Sequence, residues 1–134
     1  MSIQTALIAV KTANATLNTL IGTRFHPDVL PQGVTLPAVR YQVISRPKVY
    51  TFGVIPNISH PRVQMDGYAA TSALRTTLAS ALRGAFDTYS SATAVGGHVI
   101  QGILILNEWE GNEMLNTSTE AYRVSMDFVL HIVD

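Results

Sequence analysis

The sequence predicts an α+β fold of about four antiparallel strands with two helices packed on one face, in the order α-β-β-α-β-β. Two periodicities predict it. Apolar residues recur at three- and four-residue steps in two segments, which is typical of helices, and alternate with polar residues in four others, which is typical of strands. The chain has 134 residues, 47% of them hydrophobic. We therefore expect a single domain, residues 1–134, with a core of its own.

The first helix is predicted over residues 3–21, where apolar side chains share one face, and Gly22 supplies a stop. The second is predicted over residues 71–83. Its buried stripe is Leu74, Leu78, Ala81 and Leu82. Arg75, Ala79 and Arg83 lie on another of its faces without an acid partner in the helix, which predicts a solvated face; the alternative is a specific acidic partner.

The four strands are predicted at residues 38–45, 62–68, 98–106 and 121–133. The last alternates most regularly. Its predicted core side chains are Tyr122, Val124, Met126, Phe128 and Leu130. They alternate with a polar set on the other face: Arg123, Ser125, Asp127 and His131. One face of this strand should be buried, and the other wet or shared with a partner.

Two apolar segments between the strands are predicted to be contact loops. Residues 46–61 are too long for a tight turn and contain three prolines, and residues 107–120 form a second loop. Apolar side chains without a strand pattern indicate a partner surface; the alternatives are a loop that folds back over its own domain, and a half-buried Trp109 that covers the core. The predicted interface residues are Val49, Tyr50, Phe52, Val54, Ile55, Ile58, Trp109, Met114 and Leu115.

We find no catalytic, cofactor or metal pattern in the sequence. A nucleophile elbow is missing, and the four histidines (26, 60, 98 and 131) have no metal-ligand spacing along the chain. The acidic group Glu108, Glu110 and Glu113 lacks the spacing of a calcium loop. We therefore expect no enzyme activity, no cofactor and no metal ion.

The composition favours a protein that binds other proteins. Charged residues make up only 13%, about half of the usual share, which suggests that part of the surface is covered in an oligomer. Nine basic and nine acidic residues cancel, which argues against a specific nucleic-acid partner. There is no cysteine, no signal-peptide pattern and no run of about 20 apolar residues, so we expect a cytoplasmic protein without a membrane partner.

Three stretches carry a family resemblance: LNTLIGTRFHPDVLPQGVTLPAVRYQVIS, RVQMDGYAATSALRTTLASALRGAF and the closing YRVSMDFVLHIV. In this order the chain resembles the tail completion proteins (tail terminators, or tail-to-head joining proteins) of long-tailed bacteriophages and related prophage elements. The proline-rich segment 46–61 departs from the pattern of that family.

The resemblance implies a structural virion protein that is assembled in the host cytoplasm. It implies a homo-oligomeric ring, usually a hexamer, at the head-proximal end of the tail. Such a ring stops polymerisation of the tail tube protein and joins the tail to the head connector protein. The alternative is a cytosolic α+β ligand-binding or enzyme subunit, which would need a pocket with convergent polar groups.

Overall fold

The computed structural model describes residues 3–31, 33–47, 58–90, 99–114 and 120–133. These residues form three helices and six strands, which confirms the α+β prediction with more strands than expected. The helices are α1 (Ile3–Ala13), α2 (Ala15–Ile21) and α3 (Ser72–Phe86). The strands are β1 (Phe25–Pro27), β2 (Ala38–Ser45), β3 (Ile58–Ser59), β4 (Arg62–Ala69), β5 (Val99–Met114) and β6 (Glu120–Val133).

All six strands belong to one mixed sheet. β2 pairs with β1 in parallel and with β4 antiparallel, and β4 pairs antiparallel with β6. The other edge of β6 pairs with β5 in a long antiparallel hairpin. β3 and β4 pair with consecutive stretches of β6, so together they form one row of the sheet that is interrupted at residues 60–61.

One face of the sheet carries the core. The predicted face of β6 is confirmed, since Val124, Met126, Phe128 and Leu130 are fully buried and Tyr122 is half-buried. α3 contacts β4 and β6, and α1 and α2 pack against α3. Four aromatic rings lie in a row in this core, in the order Tyr41, Phe25, Phe86 and Phe128, with successive centroids 4.4, 6.2 and 5.9 Å apart.

The helical segment at the N-terminus differs from the single predicted helix because Asn14 interrupts it. The Asn14 side chain accepts a hydrogen bond from the Leu17 amide and caps α2, while its own backbone is extended. α2 ends at Gly22, whose φ of 56° suits glycine. The ammonium group of Lys11 donates to the Gly22 carbonyl at 2.8 Å, and this contact holds the two helices together.

Three other sequence predictions need correction. The second predicted loop is wrong over residues 107–114, because these residues continue β5 and pair with β6 down to Met114. Leu74, predicted in the buried stripe of α3, is 40% exposed, whereas Ala79, Ala85 and Phe86 are buried. The short strand β1, which pairs with β2 in parallel, was not among the four predicted strands. No helix among the described residues is long and apolar enough to cross a membrane.

Candidate interaction surface

The predicted contact segment 46–61 lies partly outside the described residues. Val49, Tyr50, Phe52, Val54 and Ile55 fall there, as does Leu115 of the second segment. The ends of the segment are described: the His60 amide donates to the Pro47 carbonyl at 3.0 Å, and Ile58 pairs with Val133 through its backbone. The segment therefore leaves and re-enters the sheet at nearly the same point, beside the end of β6.

Trp109 and Met114 lie on β5 rather than in a loop. Trp109 is opposite Ser125 of β6 and is half-buried, while Met114 is opposite Glu120 and is 56% exposed. At the rise of an antiparallel strand, about 3.4 Å per residue, Trp109 is roughly 27 Å from the point where Ile58 pairs with Val133. The described ends of the first segment and the described residues of the second, 107–114, therefore lie apart along the sheet.

The sheet has a second face, which carries no core and which we call the open face. It contains the residues of β2, β4, β5 and β6 that alternate with the core residues. Cross-strand register places them in rows: Arg40, Asp66, Ser125 and Trp109 form one row, and Gln42, Gln64, Asp127 and Asn107 form the next. The face is mainly polar, which fits the prediction of a wet or shared face on β6.

Asp66 is the centre of the open face. It is only 2% exposed, and its carboxylate accepts hydrogen bonds from Arg40, Ser125 and Gln64. Burial by itself would raise the pKa of Asp66, but the hydrogen bonds from Ser125, Arg40 and Gln64 outweigh it and hold the pKa below its usual value. Asp66 is therefore a charged group whose buried position depends on these three partners.

Tyr68 lies in the neighbouring row and is also buried. Burial and a hydrogen bond to Glu113 raise the pKa of its hydroxyl, so the phenol stays protonated. The guanidinium group of Arg40 lies 6.0 Å from the centre of the Tyr68 ring. Arg40 thus covers both Asp66 and Tyr68 on the open face, where no described helix covers them.

Three exposed apolar side chains lie away from the Asp66 cluster, nearer the end of the sheet where β6 finishes. Ile44 is 46% exposed, Leu104 is 47% exposed, and Leu106, at a bulge of β5, is 54% exposed. Leu104 lies opposite Val129, which in turn lies opposite Arg62. This part of the open face is the end from which residues 46–61 leave the sheet, so exposed apolar surface and the predicted contact segment adjoin each other.

The two arginines of α3 have acidic partners, contrary to the predicted solvated face. Arg75 lies 3.2 Å from Glu110, and Arg83 forms an ion pair with Glu108. Arg75 also lies 5.4 Å from the centre of the Tyr122 ring. These contacts attach α3 to β5, an edge strand that pairs only with β6 among the described residues. The glutamates that looked like an acidic cluster in the sequence thus have separate structural partners.

The described residues hold no arrangement suited to nucleophilic or metal-assisted catalysis. The Ser125 hydroxyl donates to a carboxylate and has no histidine partner among its hydrogen bonds. No three histidine, cysteine or acidic side chains in the described part of the chain are close enough to hold a metal ion. Sequence reasoning missed the Asp66 cluster and the contact between His60 and His131, whose ring centroids are 4.7 Å apart, because the partners are far apart along the chain.

Comparison with solved structures finds the same fold in a virus-like particle. A chain from the structure described as "Virion of native gene transfer agent (GTA) particle" matches with a TM-score of 0.68 at 16% sequence identity. The match covers 99% of this chain and 96% of that chain. No family model and no curated protein sequence matches the chain. The structural likeness shows that this chain shares its fold with a protein chain of a gene transfer agent virion.

Proposed function

We propose that this chain is a structural protein of a phage-like particle, where it acts as the tail terminator. In this role, identical copies form a ring, a hexamer by analogy with the resembled family, at the head-proximal end of the tail tube. The ring stops polymerisation of the tube and contacts the head connector. The protein has no catalytic role in this proposal and is assembled in the host cytoplasm.

The observation that carries the proposal is the likeness along nearly the whole chain to a component of a gene transfer agent virion. A fold alone hosts many functions. Two independent features favour the terminator role: the ordered sequence stretches that resemble tail completion proteins, and a surface with few charges and several exposed apolar side chains.

We propose that residues 46–61 contact a neighbouring copy or the tail tube, through Val49, Tyr50, Phe52, Val54, Ile55 and Ile58. The exposed residues Ile44, Leu104 and Leu106 extend this surface onto the open face. Trp109, Met114 and Leu115 belong to a separate contact, because Trp109 and Met114 lie far along β5 from that end of the sheet.

The direct test is electron microscopy of the purified protein mixed with tail tubes assembled from the tube protein of the same particle. A terminator should appear as a ring on one end of each tube and should stop further growth when tube protein is added. Tubes that elongate equally with and without the protein, and that carry no ring, would refute the role.

The proposed contact segment is tested by replacing Tyr50, Phe52 and Ile55 together with serine. The melting midpoint should stay close to that of the unchanged protein, while ring formation on tubes should be lost. Val29→Ser is the matched control, because Val29 is 72% exposed and lies on a different segment. If the triple variant unfolds, the segment is part of the domain's own core; if it still caps tubes, the segment is not an interface.

A further inference from the structure

Two histidines that are far apart in the sequence face each other on the open face. Ser59 pairs with Ile132 and Arg62 pairs with Val129 in the same register, which places His60 directly opposite His131. Their ring centroids are 4.7 Å apart, and the ring planes are inclined by 68°. The two imidazoles therefore form a cross-strand pair, whose Cβ atoms lie within reach of a common ligand.

This separation suits two imidazoles that share one metal ion. A zinc ion lies about 2.1 Å from a coordinating imidazole nitrogen, and hence about 3.2 Å from the ring centre. Two rings arranged around one tetrahedral ion then have their centres about 5 Å apart. The observed 4.7 Å is close to this value, and the inclined rings can turn one nitrogen each towards the same point.

The surroundings of the His60–His131 pair provide an unpaired nitrogen that can bind a metal ion, and space for the ion. His60 Nδ1 is buried and has no hydrogen-bond partner among the described residues. On β5, Gly102 lies opposite His131, and a side chain built there would meet no atom of the described residues within 4 Å. The nearest cation along β4, Arg62, forms a hydrogen bond of 2.9 Å with Asp127, so its charge is balanced.

We propose that His60 and His131 bind a divalent transition-metal ion of the zinc class. Imidazole nitrogens suit zinc, copper and nickel, and water completes the coordination, since no third histidine or acidic side chain in the described residues belongs to the group. Such a site is open and exchangeable rather than structural. Because His60 also donates its amide to Pro47, a bound ion links β6 to the base of segment 46–61. The expectation of no metal site rested on the spacing of histidines along the chain, and such spacing does not detect a cross-strand pair.

The test is a calorimetric titration of the tag-free protein with zinc chloride at neutral pH. One ion per chain should bind, and both His60→Asn and His131→Asn should abolish this binding. His26→Asn is the control and should bind as the unchanged protein does, because His26 lies on β1 at the opposite edge of the sheet. Absence of binding by the unchanged protein, or binding by either substituted protein that equals that of the unchanged protein, would overturn the proposal.

A second measurement does not depend on whether the variants fold. In the unchanged protein, nuclear magnetic resonance resolves the imidazole signals of the four histidines. Addition of one equivalent of zinc should shift two of them together and leave the other two in place. A shift of one signal, or of all four in parallel, would indicate surface binding and contradict a shared site.

Discussion

Replacing Asp66 by asparagine tests the polar cluster of the open face. The substitution keeps the size of the side chain and one oxygen that can accept from Ser125, but it removes the charge that pairs with Arg40. The Asp66 side chain is 3% exposed and that of Arg40 is 26% exposed, so the pair is largely shielded from water. Removing one partner of a fully buried pair costs about 3–5 kcal/mol, and we expect about 2 kcal/mol here, because the Arg40 charge loses its partner but is partly exposed.

The matched control is Asp127→Asn on the same face. Asp127 pairs with Arg62, whose side chain is 45% exposed, so loss of this ion pair should cost less than about 1 kcal/mol. Urea unfolding followed by circular dichroism measures both variants against the unchanged protein. Equal, small effects of the two substitutions would refute the conclusion that the Asp66 cluster stabilises the sheet.

The pH dependence of protein stability is a second test of the Asp66 cluster. The pKa of Asp66 is lower in the folded protein than its ordinary value of 3.8, so the folded state favours the charged form. The contribution of Asp66 is therefore complete above the ordinary value and is lost as the pH falls through the lower folded pKa. The stability difference between the unchanged protein and Asp66→Asn should be constant near neutral pH and should narrow only in acid. A difference that narrows between neutral and mildly acidic pH would contradict the assigned direction of the shift.

The remaining predictions concern packing and the contacts of α3. Phe128→Ala should lower the free energy of unfolding by about 3–5 kcal/mol, because the side chain is fully buried; a melting midpoint lowered by only a degree or two would contradict this. Gly67→Ala should destabilise by about 1–3 kcal/mol, since the new methyl group would lie 2.8 Å from a buried leucine of α3. Gly84→Ala, on the exposed side of α3 with no atom of the described residues within 4 Å, should instead stabilise the protein by up to about 1 kcal/mol, and thermal melting compares the two variants. Arg83→Gln should cost less than about 1 kcal/mol in urea unfolding, and the cost should shrink in high salt because the Arg83–Glu108 pair is partly exposed; an undiminished cost in salt would contradict an electrostatic contact.

The sequence was sufficient to predict the elements whose periodicity is controlled by the core. β6 is the clearest case, because its apolar residues alternate from Tyr122 to Ile132 and face a single layer of helices. The boundaries of β2 were predicted correctly for the same reason. A strand with one buried face needs an apolar side chain at every second position, so the pattern in the sequence matches the pattern of burial.

The second half of β5 could not be predicted in this way. Residues 107–114 carry polar side chains on both faces and one glycine, so they show no alternation. They form a strand because β6 pairs with them and because α3 supplies arginine partners for Glu108 and Glu110. Such an element depends on tertiary contacts, and its residues look like a loop when they are considered alone.

The Asp66 cluster and the histidine pair could not be predicted from the sequence for a related reason. Arg40, Asp66 and Ser125 each appeared as ordinary polar positions on separate strands, and register alone brings them into one row. The same is true of His60 and His131. Sequence spacing detects ligands on one element, whereas cross-strand neighbours become visible only when the register of the sheet is known.

The distance between the two predicted contact segments bears on how copies could assemble. A closed ring requires two different surfaces on each subunit, because every copy contacts one neighbour through each surface. Segment 46–61 leaves the sheet beside Val133, whereas Met114 lies opposite Glu120 near the other end of β6. About 44 Å of extended strand separates these two points. Under the proposal that both segments are contacts, their separation along the β5–β6 hairpin suits a subunit that bridges two partners, whereas a single joint patch would suit a two-fold dimer. The proposed contacts therefore suit the proposed ring, or a proposed link between tube and connector, better than a symmetric pair.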